Sequence, residues 1–288
     1  MRKKQKPHLS VKKALQLHSD APILPQPASL AGETFGLPTM KKAFSLLLLA
    51  LLLCCTADAF ASGKHARASF LRSKKILMVE VYADHRITLY CGAGFDEKGA
   101  ITLPEGFVAT KHIKRAGRVE WEHVVPAENF GRFFAEWRHG HPECVDARGK
   151  PFKGRRCAEK TNKEFRSMLA DMYNLYPAIG AVNASRAHFP YALLPETESF
   201  FGSCPVKIEG RKVEPPEASR GRIARSSLYM AATYAQFHIS AKQKKLMTAW
   251  HRMYPVDPWE CSRAKRIKRI QGNTNDLVKE DCAARGLW

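Results

Sequence analysis

Acidic side chains are in short supply in this sequence, with 27 Asp and Glu against 47 Lys and Arg. That imbalance favours a polyanionic partner and says little about fold. No cysteine forms a C-x-x-C pair, which argues against a structural zinc site. Internal repeats are absent, so a stacked-repeat architecture is not indicated. Past residue 62 no Pro/Gly-rich linker divides the chain, and a single domain is expected there. One long apolar run exists, Ala43 to Cys55, and it is too short to span a membrane as a stable helix.

That run is part of an address. Met40-Lys41-Lys42 precedes it and Ala57-Asp58-Ala59-Phe60-Ala61-Ser62 follows, giving a basic start, an apolar centre and a small-x-small cleavage site. Residues 40–61 therefore read as a secretory signal peptide cut after Ala61. Residues 1–39 are polar, proline-bearing and aperiodic, and read as an extension upstream of the true start at Met40. The mature chain, 62–288, has 227 residues and keeps 39 basic and 24 acidic side chains, a net charge of about +15. It is expected in the periplasm or outside the cell, as a monomer with no stable membrane association.

Six cysteines remain once Cys54 and Cys55 leave with the signal: Cys91, Cys144, Cys157, Cys204, Cys261 and Cys282. An even number in an exported chain implies disulfides. Local loop closure suggests Cys144–Cys157 and Cys261–Cys282, which leaves Cys91–Cys204 as a long-range link.

The pattern of the mature chain is α+β and mostly helical, with a small hairpin. A helix is expected over 66–82, with Ser69 as a candidate cap. Strands are expected at 87–91 and 119–125, the second stopped by Pro126. Residues 132–163 read as a long stapled loop. Phe165, Met168, Leu169, Met172 and Tyr176 recur at helical spacing up to Pro177. Ser240-Ala241-Lys242-Gln243 and Asp257-Pro258-Trp259-Glu260 both carry helix-start chemistry. The second helix bears Arg263, Lys265, Arg266, Lys268 and Arg269, spread around its circumference.

Chemistry concentrates in Arg118-Val119-Glu120-Trp121-Glu122-His123-Val124-Val125-Pro126. A carboxylate can hold a hard cation and a histidine can take a proton near neutral pH. In an ideal strand the two neighbours point to opposite faces. The plainer alternative is thus a core His123 beside Trp121 and a surface Glu122. Pro126 ends the strand just afterwards, where both side chains can reach one cleft. Further on, a helix from Ala181 puts Asn183 and Arg186 on one face. Asn183 offers a neutral carbonyl ligand and Arg186 a phosphate contact. Asn174 and Asn183 also fit loop or capping roles.

These words together resemble the bacterial endonuclease I family of exported non-specific nucleases, within the His-Me finger (ββα-metal) group. The matching stretches are Arg118 to Ala127, and Asp171-Met172-Tyr173-Asn174-Leu175 running on to Asn183. Others are Glu214 to Glu217 with Arg220 to Arg225, Met253-Tyr254-Pro255-Val256 with Trp259-Glu260-Cys261, and Ile270-Gln271-Gly272-Asn273. The resemblance covers roughly residues 67–285, in the family's order.

It implies a single domain built around a ββα-metal finger. His123 is the implied general base, and Glu122 and Asn183 the only protein ligands of a Mg²⁺-type ion, with Mn²⁺ or Ca²⁺ as substitutes. Asn174 is implied to pin the finger's loop. An arginine of the stapled loop is implied to neutralise the product phosphate, with Arg155 the choice and its neighbour Arg156 the alternative. The implied substrates are DNA and RNA, held by the phosphate backbone and cut to leave 5′-phosphates. Two positions depart from the family pattern. Leu169 stands where glutamate is common, and Cys91-Gly92-Ala93 replaces Cys-Gly-Cys, so one bridge is missing. A catalytically dead nucleic-acid-binding protein, or a stapled envelope protein, are the competing classes. The presence of Glu122, His123 and Asn183 speaks against both.

Overall fold

The computed structural model describes residues 69–288. The upstream extension, the signal peptide and its cleavage point lie outside the described residues. Among the described residues no helix is long and apolar enough to cross a membrane.

Helix α1, Phe70–Ile76, starts at the expected cap. The Ser69 carbonyl accepts from Ser73 N at 2.9 Å, while the Ser69 side chain makes no capping bond. The helix then widens into a π turn over Leu77–Val81 and ends at Tyr82. The strand expected at 87–91 does not form. Ile87 makes one isolated bridge to Gly94, and Thr88 Oγ1 accepts from Ala93 N at 2.9 Å. That bond, with Gly92 at φ 62°, closes a turn where the apolar run suggested extension. Two short strands follow, β1 (Gly94–Phe95) and β2 (Ile101–Thr102), paired antiparallel.

Strand β3, Val119–His123, is the one read from the sequence, two residues shorter. Its partner was not expected. Helix α5, Lys163–Ala170, stops there instead of running on to Pro177. Asp171 stops it: one carboxylate oxygen accepts from Tyr173 N (2.9 Å) and Gln271 Nε2 (2.9 Å), the other from Tyr229 and Tyr234 hydroxyls (2.7 Å each). A 3₁₀ turn, Met172–Asn174, leads into β4, Leu175–Ile179, which pairs antiparallel with β3 so that Glu122 faces Tyr176 and His123 faces Leu175. Pro177 fits inside β4 because its carbonyl points away from β3, accepting from Leu89 N at 2.8 Å. Its missing N–H faces the same way and takes no bond from the ladder. Helix α6, Gly180–Arg186, follows at once.

The stretch 132–163 is not wholly a loop. After α2 (Ala127–Gly131) it contains α3 (Ala135–Arg138) and α4 (Arg155–Thr161), before α5 begins at Lys163. Trp137 packs so closely on Gly131 that a Cβ there would lie 2.3 Å from its ring, and it also meets Phe165 at 5.7 Å. That packing folds the segment inward. The hairpin β5 (Lys207–Glu209) and β6 (Lys212–Glu214) precedes four helices: α7 (Glu217–Thr233), α8 (Ala241–Met253), α9 (Pro258–Gln271) and α10 (Asp276–Ala284).

Both helix starts read from the sequence hold on one side only. Ser240 accepts from Gln243 N, but the Gln243 side chain donates to Tyr191 O instead of returning to the cap. Asp257 accepts from Glu260 N at 2.7 Å, while the Glu260 carboxylate takes two bonds from buried Arg225 at 2.7 and 2.6 Å. Two of the five basic residues on α9 are structural. Arg263 is buried against Tyr176 and donates to Met172 O and Leu175 O, behind β4, and Arg266 pairs with Asp84. Apolar side chains form two clusters, with Leu175 in one and Tyr176, Ala178 and Ile179 in the other.

Disulfides join Cys91–Cys204, Cys144–Cys157 and Cys261–Cys282. Their sequence separations are 113, 13 and 21 residues. Loop-closure entropy makes the first the strongest constraint on the unfolded chain, at about 4–5 kcal/mol against about 3 kcal/mol for the second. Urea unfolding of C91A/C204A is expected to show a larger loss of stability than C144A/C157A, and equal losses in the two would contradict this ranking.

Candidate active site

A cavity of about 520 Å³ wraps around the end of β3. Glu122 and His123 both line it, together with Asn183 from α6 and Arg155 from the start of α4. Both neighbours reach this cavity although both lie in the ladder, whose last bond is made by Val124 before the chain bends through Val124 and Val125. Asn174 fixes that bend. Its carbonyl accepts from Val124 N at 3.0 Å, its Oδ1 from Val125 N at 2.7 Å, and its Nδ2 donates to Val125 O at 3.0 Å. One fully buried amide thus supplies the pairing that the ladder gives up.

Glu122 is only 2 % exposed. Its Oε1 accepts from the Tyr90 hydroxyl at 2.7 Å and pairs with Arg186 Nε at 3.1 Å. Burial pushes the carboxyl pKa upward, against the pull of the Arg186 charge and the Tyr90 bond. Burial and the Glu122 charge hold Tyr90 well above its ordinary value, so it keeps its proton and donates. Among the described residues, Oε2 has no protein partner.

Arg186 does not serve as a free phosphate contact. It is 1 % exposed, donates to Val124 O at 2.7 Å and Ala187 O at 3.1 Å, and lies 4.6 Å over the Tyr191 ring. Helical spacing put it on the right face, but the neighbouring buried carboxylate claims its charge. Burial opposes that charge, while Tyr191, Glu122 and Tyr90 raise its pKa further.

His123 is 8 % exposed, and its Nε2 lies 2.8 Å from the Leu169 carbonyl. A carbonyl only accepts, so Nε2 carries the proton and Nδ1 keeps its lone pair. Burial lowers the imidazole to about 3, opposed by the Leu169 bond and helped by the Arg155, Arg186 and Lys74 charges. The ring is therefore neutral at physiological pH. Phe70 packs against it with centroids 4.8 Å apart. Leu169, the departure from the family pattern, has its side chain buried in the core and meets the imidazole through its backbone carbonyl.

Asn183 donates from Nδ2 to Glu120 Oε2 at 3.0 Å, which leaves its Oδ1 as the free acceptor. Glu122 Oε2 and Asn183 Oδ1 are hard oxygen donors of the kind Mg²⁺ takes when it keeps most of its waters. Among the described residues no group of three or more His, Cys, Asp or Glu is poised around a metal, so a closed cage of those ligands is not built there. Arg155 lines the cavity with its side chain 42 % exposed, 3.9 Å from Glu159 and 5.2 Å over Phe70. Burial lowers its pKa, against the Glu159 charge. Arg156 instead sits 4.0 Å over Phe152 and does not line this cavity. A second cavity, about 330 Å³, shares Pro126 but touches none of Glu122, His123, Asn183 or Arg155.

The Endonuclease I family profile matches residues 73–282. The chain belongs to the endonuclease I family. An extracellular deoxyribonuclease of Aeromonas hydrophila is 39% identical over 222 residues, covering 75% of this chain and 91% of the relative. A periplasmic deoxyribonuclease of the same organism is 35% identical, over 88% of this chain and 99% of its own length. Endonuclease-1 of Buchnera aphidicola subsp. Acyrthosiphon pisum (strain APS) is 36% identical, over 72% and 80%.

This endonuclease I chain also lines the cavity with side chains that sequence reasoning passed over: Glu120, Lys74, Glu128 and His188. His188 Nδ1 lies 3.1 Å from Glu128. Each belongs to a different element or contacts distant residues, so no local spacing marks them. Glu120 alone lay inside a word already singled out.

Removing Arg186 leaves the Glu122 carboxylate buried beside Tyr90 alone. Breaking such a pair on one side costs about 3–5 kcal/mol. R186M is expected to lose that much in urea unfolding at pH 7, and a loss below about 1 kcal/mol would contradict a buried ion pair here.

Proposed function

We propose that this protein is an exported, sugar-non-specific endonuclease. It hydrolyses phosphodiester bonds of double- and single-stranded DNA, and of RNA, to leave 5′-phosphate ends. The observation that carries the reading is the meeting of Glu122, His123, Asn183 and Arg155 on one cavity, in a chain whose mature part is strongly basic. The order β3, β4, α6 supports a ββα-metal finger: two antiparallel strands and a helix, with the candidate base on the first strand and the amide on the helix. Relatives named as extracellular and periplasmic deoxyribonucleases support a DNA substrate and export. Residues 40–61 supply the address, with cleavage after Ala61. The mature protein acts as a monomer.

The chain's own groups divide the work. Glu122 Oε2 and Asn183 Oδ1 would hold a Mg²⁺-type ion, which Mn²⁺ or Ca²⁺ could replace. When bound, the ion polarises the scissile phosphate and stabilises the leaving 3′ oxygen. His123 takes a proton at Nδ1 from the water that attacks phosphorus, held in place through Nε2 on Leu169 O. Phe70 and Phe130 shield the ring from bulk water. Arg155 neutralises the 5′-phosphate of the product. The groups assigned here address phosphate and water, and none addresses a base edge, which is why sequence is not discriminated. Asn174 and Arg186 support the site from behind, the first by holding the bend and the second by holding Glu122.

Plasmid nicking by oxidised protein is expected with Mg²⁺ and is expected to stop with EDTA. H123A should lose about 10²–10⁴-fold in rate while still binding DNA. Full activity in H123A would overturn the mechanism. Wild-type protein that binds nucleic acid in a salt-dependent way but cleaves neither DNA nor RNA would mark a dead site instead.

A further inference from the structure

Glu120 stands two residues before Glu122 on β3, lines the same cavity, and bonds to one of the candidate ligands, Asn183. We propose that it is a positioning residue, turning the Asn183 amide so that Oδ1 faces the cation. This rests on the reading of Glu122 and Asn183 as the cation's ligands.

The two ends of an amide have nearly the same shape and opposite chemistry. An Asn183 that offered its NH₂ group to the cavity would repel a cation. A carboxylate only accepts, so Glu120 selects the NH₂ end for itself. Flipping the amide would set two acceptor oxygens about 3 Å apart with no proton between them.

Glu120 is itself held rigidly. Its Oε1 accepts from Arg115 Nε at 2.8 Å and from Arg118 Nη2 at 3.1 Å, and its Oε2 accepts from Arg115 Nη2 as well as from Asn183. With Arg118 Nε on Oε1 at 3.2 Å, five donors crowd the four or so lone-pair directions of a carboxylate. Glu120 is therefore committed to its protein partners and is not a spare ligand. The backbone is shaped to the same end. A Cβ on Gly180 would meet Arg115 O at 2.5 Å and the Glu120 carboxyl carbon at 3.0 Å. Helix α6 can begin against this shelf only because residue 180 lacks a side chain, and Asn183 is then one turn along it.

The test is Mn²⁺ binding to the full mature protein without nucleic acid, by isothermal titration calorimetry. Each variant's fold is checked by its thermal midpoint. E120A is expected to weaken Mn²⁺ binding about 10–100-fold, the range for groups that orient a metal ligand. N183A should weaken it at least as much. E120Q keeps an oxygen that can face Nδ2 and should return to within a few-fold of wild type. E120A/N183A should bind no more weakly than N183A alone. If E120A does not fold, E120A/R115M removes the stranded cation and takes its place. Wild-type affinity in E120A beside a weakened N183A would overturn the positioning role and leave the ligand assignment standing. Wild-type affinity in N183A would overturn the ligand assignment itself. A double variant weaker than N183A, or an E120Q as weak as E120A, would show Glu120 acting by charge and not through the amide.

Discussion

A carboxylate buried to 2 % exposure beside a histidine is the constraint around which this fold is arranged. Taken out of water without compensation, Glu122 would protonate or pull the structure open. Arg186 supplies the opposite charge and Tyr90 a proton, both on the same carboxylate oxygen. Concentrating the protein contacts on Oε1 leaves Oε2 for something else. Arg186 is in turn tied to Val124 O, so the ion pair also fastens α6 to the end of β3. The long disulfide Cys91–Cys204 closes next to Tyr90 in the chain, holding the hydroxyl that completes the set.

A second requirement follows from strand geometry. Glu122 and His123 are neighbours and must both reach one cavity, so the ladder has to end between them and Pro126. Asn174 satisfies the backbone at that ending, its side-chain amide taking both the N–H and the carbonyl of Val125. Leu169 does the same for the imidazole, using only its carbonyl. The imidazole is therefore oriented by a main-chain atom, which tolerates a change in the side chain at Leu169.

What could be read from the sequence was local. Ser240 and Asp257 announce their helices because their acceptors lie three residues away, and Cys144 and Cys157 close a short loop. The Glu-His pair announced itself by composition, and its distant asparagine by resemblance. What could not be read depended on partners far along the chain. Phe165 to Tyr176 keep helical spacing throughout, yet Asp171 ends the helix by gathering Tyr229, Tyr234 and Gln271. Strand β4 exists only opposite β3, some fifty residues earlier. Arg186 looked like a phosphate contact until the burial of Glu122 was known, and Glu120 had no role until Asn183 was placed against it.

The central claim is a division of labour in which Glu122 and Asn183 hold the ion and His123 does not. A crystal of the protein grown with Mn²⁺, with the ion located by anomalous scattering, tests it most directly. One peak is expected about 2.0–2.2 Å from Glu122 Oε2 and Asn183 Oδ1. His123 Nε2 should remain on Leu169 O and its Nδ1 should lie outside the coordination shell. A peak bonded to His123, or a saturating ion bound away from both oxygens, would contradict the account.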